Sequence, residues 1–320
     1  MRDWQGARGA HGRGRTHASE RKPQDSRTPR RPREVLLGSA PLDSRPASCI
    51  SEFHHHFFAL ALEKPLAYNG CMNETATSRL EALWGSAGLA RLQAATVMVV
   101  GAGGVGSNCI ESLARGAVGT IIVVDGDEVA ASNLNRQALA WTDTVGMRKT
   151  EAARLLVERI NPGIRVITRD TFLLPRDVPA LIEDARAEAG GRIDYLVDAI
   201  DTVVTKLVLA SFAERAGIPL VSSMGGAMKL YPEQLRFADI YDTHGDALAR
   251  VIRKGCRKLG IRHLDVLYSP EPPIERPELP AAAEGAERPP LGTTSYLPPI
   301  MGQMLAGFVM RRLAGAGGGA

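Results

Sequence analysis

The chain has 320 residues, 44% of them hydrophobic and 23% charged, which supplies a sizeable core and excludes a wholly disordered protein. No apolar run approaches the ~20 residues of a bilayer-spanning helix. Four cysteines without a C-x-x-C pair, Cys49, Cys71, Cys109 and Cys256, disfavour a zinc ribbon or a thioredoxin-type site, are too sparse for a disulfide scaffold and make a reducing cytoplasm the expected compartment. The formal charge of +4 is uneven, with a net +5 over residues 1–71 and −1 over the other 249. Overall basicity is therefore no argument for nucleic-acid binding by the body, and local patches must carry it.

Residues 1–48 are rich in Arg, Pro, Gly and Ser without a hydrophobic period, so 1–71 is expected to be a disordered basic extension. It lacks the apolar stretch and cleavage site of a signal peptide. Met72 stands immediately before the first helical pattern and is an alternative start. The run His54–His56 could touch a metal, but adjacent residues cannot all face one ion, and ordinary zinc-ligand spacing is absent.

From residue 79 strand and helix alternate. Leu80, Leu83, Trp84, Leu89 and Leu92 recur at helical spacing and predict short helices. Thr96–Val100 reads as a buried parallel strand. A glycine-rich turn and a helix follow, with Val105, Cys109 and Leu113 on one face. Thr120–Val124 is a strand ending at Asp125. A helix is expected over 147–160, stopped by Asn161-Pro162. Further strands are expected at 164–168, 195–199 and 220–223, with helices at 177–187 and 206–216. This order predicts an α/β fold, a doubly wound, mostly parallel Rossmann-like sheet.

After residue 226 the order changes. Short strands are expected at 228–231 and 234–238, an amphipathic helix at 247–259, a Pro-rich mobile loop at 270–290 and a last helix at 299–313 before a Gly-rich tail. The expected organisation is a nucleotide-binding domain over 72–242 and a C-terminal α+β part over 243–320. The apolar stretch 300–310 is too short to span a bilayer. It is expected to be a core or dimer-contact helix, with peripheral membrane association left open.

Gly101-x-Gly103-Gly104-x-Gly106 follows a strand and opens a helix. Such glycines let the backbone approach a phosphate chain at a helix N-terminus. Asp125, at the end of the next strand, suits ribose hydroxyls. To this point NAD and ATP fit equally well. Asp127, Ser132, Asn133, Asn135, Arg136, Gln137 and Lys149 separate them. Hydride transfer has no need of cations near the phosphates, whereas nucleotidyl transfer develops negative charge on the α-phosphate that Arg136 and Lys149 can stabilise. Asp201 and Thr202 fall at the C-terminal end of the 195–199 strand, where ligands bind in open parallel sheets. Asp201 can hold Mg²⁺ against ATP phosphates; its alternative role is helix capping.

Together these residues resemble the E1-like (ThiF/MoeB/HesA) superfamily of adenylating enzymes. The resemblance covers roughly 79–313, and within the superfamily it is nearest the tRNA threonylcarbamoyladenosine dehydratase branch. The supporting stretches are Ser223-Met-Gly225-Gly226-Ala227, Tyr231-Pro232, 249–261, Val266-Leu-Tyr268-Ser269-Pro-Glu271 and 294–302. The resemblance implies an E1-like adenylation fold and ATP-dependent ring closure of threonylcarbamoyladenosine at tRNA position 37. In that reaction, adenylation activates the carboxylate and a nitrogen of the same modification attacks. It further implies ATP and Mg²⁺ as cofactors, tRNA as substrate, a homodimer and a sulfur- or electron-transfer protein partner. An arginine from the second subunit, for which Arg79 is the nearby candidate, would complete the site.

Two departures bear on this. The paired C-x-x-C motifs of sulfur-carrier-activating relatives are missing, which disfavours the alternative of an adenylyltransferase for a ubiquitin-like sulfur carrier. No cysteine follows Cys256, which is expected in the core of its helix, so the expected route has no covalent enzyme intermediate. A third alternative, a nucleotide-binding scaffold without catalysis, is disfavoured by Arg136, Lys149 and Asp201. Given the resemblance, Arg250, Arg253, Lys254, Arg257 and Lys258, which share one helix side, are expected to contact the tRNA backbone.

Overall fold

The computed structural model describes residues 75–275 and 291–315. The expectations for 1–71, for most of the Pro-rich loop and for the Gly-rich tail lie outside the described residues.

Five strands alternate with helices as expected: β1 (Thr96–Val100), β2 (Thr120–Asp125), β3 (Arg165–Asp170), β4 (Tyr195–Asp198) and β5 (Leu220–Ser223). β6 (Arg236–Asp239) and β7 (Asp265–Tyr268) complete one sheet in the order β3-β2-β1-β4-β5-β7-β6. All neighbours pair in parallel except β6 and β7, which are antiparallel. The chain runs from β1 outward through β2 to β3, then crosses back to β4 on the other side of β1 and on to β5. Such a reversal opens a crevice at the strands' carboxyl ends.

Both sheet faces are covered, which explains why β1 is buried at every position and apolar from Val97 onward. Val97 and Val99 face a core with α2 (Gly106–Arg115), α3 (Lys149–Ile160) and α7 (Leu297–Leu313). Met98 and Val100 face the opposite core with α4 (Val178–Glu188) and α5 (Val203–Ala216). A third cluster seats α6 (Ala247–Leu259), through Ala249, Ile252 and Cys256, on Val266 and Tyr268 of β7. Each fully buried Val, Leu or Ile of this kind contributes about 1.5–3 kcal/mol. Leu113→Ala, which would open a hole between α2 and the sheet, should cost about 2–5 kcal/mol.

Four elements differ from expectation. The segment 78–94 is one helix, α1 (Ser78–Ala94), broken at Gly85 by a positive φ of 67°. No strand forms over 228–231: Met228 takes a left-handed φ of 59°, and the Glu271 carboxylate accepts the amides of Leu230 and Tyr231 that a neighbouring strand would have accepted. The strand expected at 234–238 begins at Arg236, because Pro232–Gln234 forms a 3-10 turn. Finally, β7 was not expected at all. It inserts between β5 and β6, so the residues after 242 supply a strand to the same sheet within one compact unit, Met72–Ala320.

Candidate active site

The glycine turn is held by geometry that larger residues cannot adopt. Gly101 has φ 93°, and a Cβ at Gly106 would fall 1.7 Å from the Gly101 carbonyl oxygen. The turn is tied to β2 through the Asp125 carboxylate. Its Oδ2 accepts the Ala102 amide at 2.6 Å and its Oδ1 the Asp127 amide at 2.8 Å. Asp125 thus fixes the loop and keeps lone pairs for a further donor.

A cavity of about 1000 Å³ lies over this carboxyl edge. It is lined by Gly101, Gly103, Gly104, Asp125, Asp127, Asn133, Arg136, Gln137, Lys149, Asp201 and Thr202. Gly106 sits behind it as the first residue of α2. Ser132 and Asn135 do not line it, contrary to expectation. Arg136 donates through Nη1 to the Ser132 carbonyl at 2.9 Å and to Asn135 Oδ1 at 2.8 Å, so these two residues aim the guanidinium. Asn133 Oδ1 accepts the Ala130 amide, which closes the turn leading to Arg136.

Lys149 is no solvated helix-face lysine. It is 6% exposed, and its Nζ donates to Asp127 Oδ2 at 2.6 Å, with Asp125 Oδ1 3.9 Å away. The Gln137 side chain is buried at the wall, and its Oε1 has no partner among the described residues. A buried unpaired acceptor is costly, and a ribose hydroxyl or an exocyclic amine would satisfy it; a phosphate oxygen would not. Asp201 is exposed in the loop between β4 and α5. The N-cap of α5 is Thr202, whose side chain makes no capping bond. Among the described residues no cluster of three or more His, Cys, Asp or Glu is placed to hold a metal. A divalent cation on Asp201 would therefore share substrate oxygens, and one carboxylate beside phosphates is a coordination that suits Mg²⁺.

Other residues that shape the site escaped sequence reasoning. Thr171, Phe172, Leu173 and Leu174, just after β3, form an apolar wall next to Gly126. Beneath the Asp201 loop is a buried ion pair, Lys206 with Asp198, each 1% exposed. Lys206 Nζ donates to Asp198 Oδ2 at 3.0 Å, to Ser222 Oγ at 3.1 Å and to the Ser223 carbonyl at 2.9 Å. Asp198 Oδ1 accepts the Ile200 amide at 3.3 Å, so the pair anchors the loop that carries Asp201. A readable signal existed, since Lys206 shares a helix face with Ala210 and Ala213 and interrupts an apolar stripe. The far wall contains Lys229 and Asp246, for which no such signal exists.

The five basic residues of α6 divide. Arg250, Lys254 and Lys258 are exposed. Arg257 is exposed and lies 5.5 Å from the centre of the Tyr241 ring. Arg253 departs from expectation: it is half-buried and donates to the Thr243 carbonyl at 2.7 Å and to Thr243 Oγ1 at 2.5 Å. Its charge is engaged within the fold. Arg79 lies exposed in the first turn of α1 and does not line the cavity. Cys109 and Cys256 are buried and reduced, and neither lines the cavity. Burial first, and then Asp239, pushes the Cys256 thiol up to about 11; burial also raises the Cys109 thiol.

Residues 77–316 match the ThiF family. The tRNA threonylcarbamoyladenosine dehydratase of Bacillus subtilis is 36% identical over 245 residues, spanning 74% of this chain and 93% of that protein. The Escherichia coli tRNA N6-threonylcarbamoyladenosine dehydratase, TcdA, has been solved in complex with ATP and with AMP. The ATP complex superposes with a TM-score of 0.63 at 28% identity, covering 74% of this chain and 94% of that one. The AMP complex gives 0.62 at 29% identity, covering 74% and 92%. The adenylyltransferase and sulfurtransferase UBA4 of Candida glabrata is 36% identical over 146 residues, spanning 46% of this chain and 32% of that protein.

Proposed function

The chain belongs to the ThiF family, and on that premise we propose that it is an ATP-dependent tRNA threonylcarbamoyladenosine dehydratase. The observation that carries this reading is the convergence of the glycine turn, Arg136, Lys149 and Asp201 on one cavity. The near-full-length relationship to the Bacillus dehydratase supports it over the shorter similarity to UBA4.

In the proposed reaction the carboxylate of the threonylcarbamoyl group attacks the α-phosphorus of ATP and pyrophosphate leaves. A nitrogen of the same modification then attacks the activated carbonyl, AMP leaves and the ring closes with net loss of one water. The Ala102–Gly106 backbone receives the phosphates at the N-terminus of α2. Asp125 and the Gln137 acceptor suit the ribose or adenine, and Phe172 and Leu173 supply an apolar surface for the base. Arg136 and Lys149 stabilise the charge that grows on the α-phosphate. Lys149 must then exchange part of its contact with Asp127 for a phosphate oxygen. Asp201 would hold Mg²⁺, which when bound neutralises phosphate charge. Arg250, Lys254, Arg257 and Lys258 receive the tRNA backbone. We extend the same reading to a cytoplasmic homodimer in which Arg79 crosses to the second subunit's site, and to a sulfur- or electron-transfer partner. Light scattering and Arg79→Ala test the dimer and the arginine; co-purification tests the partner. Among the described residues no helix is long and apolar enough to cross a membrane.

The test is incubation with ATP, Mg²⁺ and tRNA bearing threonylcarbamoyladenosine. Mass spectrometry should find that nucleoside lighter by one water, with AMP and pyrophosphate as co-products. ADP and phosphate would rule out adenylation. Pyrophosphate release that requires a ubiquitin-like carrier and leaves tRNA unchanged would favour the sulfur-carrier alternative.

A further inference from the structure

Along the carboxyl edge of the sheet, each strand end adds a different kind of group to the cavity. Beyond β2 lie Asp125, Asp127 and Lys149, beyond β1 the glycine turn with Arg136 against it, and beyond β4 Asp201. On the proposed reading this half holds ATP. The remaining end, beyond β5, is lined by the 223–229 segment and by Asp246, Ala247 and Leu248, where α6 begins. Strand spacing puts β5 roughly 14 Å from β2. This end also adjoins the helix whose exposed cations suit a tRNA backbone.

Among the described residues, the ammonium at this end is that of Lys229. The residue is 5% exposed, yet it lines the cavity. Lys229 Nζ donates to Asp246 Oδ2 at 2.5 Å and to the Ser269 carbonyl at 2.8 Å. Asp246 is itself held, because its Oδ1 accepts the Ala249 amide at 2.7 Å as the cap of α6. An ammonium has three protons, and the described residues supply two acceptors. Beside the pair lie small residues, Gly225, whose Cβ would come 3.4 Å from Asp246 Oδ2, and Gly226 and Ala227, with Met224 and Leu248 completing this end. A fixed, nearly dry cation that lines the cavity with one donor left, beside three small residues, is a site for an anionic group. In low dielectric such a contact is strong and orienting.

We propose that Lys229 is the specificity-determining residue for the acyl substrate, donating its third proton to the carboxylate of the threonylcarbamoyl group and presenting that carboxylate to the α-phosphate. Asp246 and the Ser269 carbonyl position the ammonium. The inference rests on the dehydratase reading and assigns the carboxylate end of its substrate. Arg136 and Lys149 remain with the nucleotide, so the two anions of the reaction meet different cations.

The experiment compares binding of two otherwise identical tRNAs, one with threonylcarbamoyladenosine at position 37 and one with unmodified adenosine. Wild type should prefer the modified tRNA. Lys229→Gln should lower that preference by roughly 10- to 100-fold, the value of one charge-assisted hydrogen bond. It should leave the affinity for unmodified tRNA and for ATP unchanged. A merely structural role would weaken all three together or none. Retention of the preference in Lys229→Gln overturns the proposal. If that variant does not fold, wild-type crystals soaked with the free nucleoside decide: its carboxylate should lie within hydrogen-bond distance of Lys229 Nζ, and a carboxylate on Arg136 or Lys149 instead overturns the proposal. Should wild type neither prefer nor convert the modified tRNA, the dehydratase reading itself fails, an outcome separate from failure of Lys229 alone.

Discussion

The two halves of the carboxyl edge are built by different means. In the β1–β2–β4 half, short contiguous motifs follow strand ends, and backbone groups do much of the holding: Asp125 on the Ala102 and Asp127 amides, Asp198 on the Ile200 amide. In the β5–β7 half, groups from three separate segments, after β5, before α6 and after β7, hold one another. Lys229 meets Asp246, and Glu271 takes the amides of residues 230 and 231. On the proposed reading the first half takes the nucleotide through loops that directly follow strand ends, and the second takes the acyl substrate where three segments meet.

The strongest test of this contrast acts where the halves join. Lys206 links the ends of β4 and β5 with its charge buried. Lys206→Met leaves Asp198 uncompensated and should cost about 3–5 kcal/mol in urea unfolding. A cost under ~1 kcal/mol would mean that the pair does not hold the edge together. Next in size, Lys149→Ala and Asp201→Ala should each lower turnover by ~10²–10³-fold. Because Asp201 is exposed, its urea midpoint should not move, and full turnover in either variant would remove that residue from the chemistry.

Smaller effects are expected on the β5–β7 side. Replacing Arg250, Lys254 and Lys258 together with alanine should flatten the salt dependence of tRNA binding by about one unit of slope per lost phosphate contact. ATP binding should not respond. Arg253→Ala alone should change that slope little, because Thr243 already engages it; an equal change would return Arg253 to the tRNA surface. The smallest effect is at Cys256. Turnover by Cys256→Ala should match wild type. With its thiol pushed up to about 11, the native protein should resist iodoacetamide at pH 8 and react faster as the pH rises toward that value. Because folding raises this thiol above its ordinary 9.0, its contribution to stability is full below pH 9 and falls as the pH climbs from 9 to 11. Rapid alkylation of the folded protein at pH 8 would show the thiol to be reachable.

Much of this is readable in the sequence. The βαβ alternation, the glycine turn, Asp125, Arg136, Lys149 and Asp201 come from local rules: continuous apolar runs for doubly covered strands, glycine where backbones touch, polar groups just past strand ends. The roles of Ser132 and Asn135 were not readable, since both carry the right chemistry, yet Ser132 meets Arg136 through its backbone carbonyl and Asn135 through its side-chain oxygen. The strand expected at 228–231 failed for a related reason: its pattern suits a strand, but the carboxylate that takes its amides lies some forty residues away.

By itself the sequence determined a doubly wound α/β fold with a glycine turn and polar groups past its strand ends, because strand burial and turn geometry are set by neighbours within a few residues. Tertiary structure alone decided that β7 enters the sheet between β5 and β6, that Lys206 is buried against Asp198 and that Lys229 reaches the cavity wall. Each of these depends on partners that the fold brings together, and a pattern that marks Lys206 as buried does not name the groups it meets.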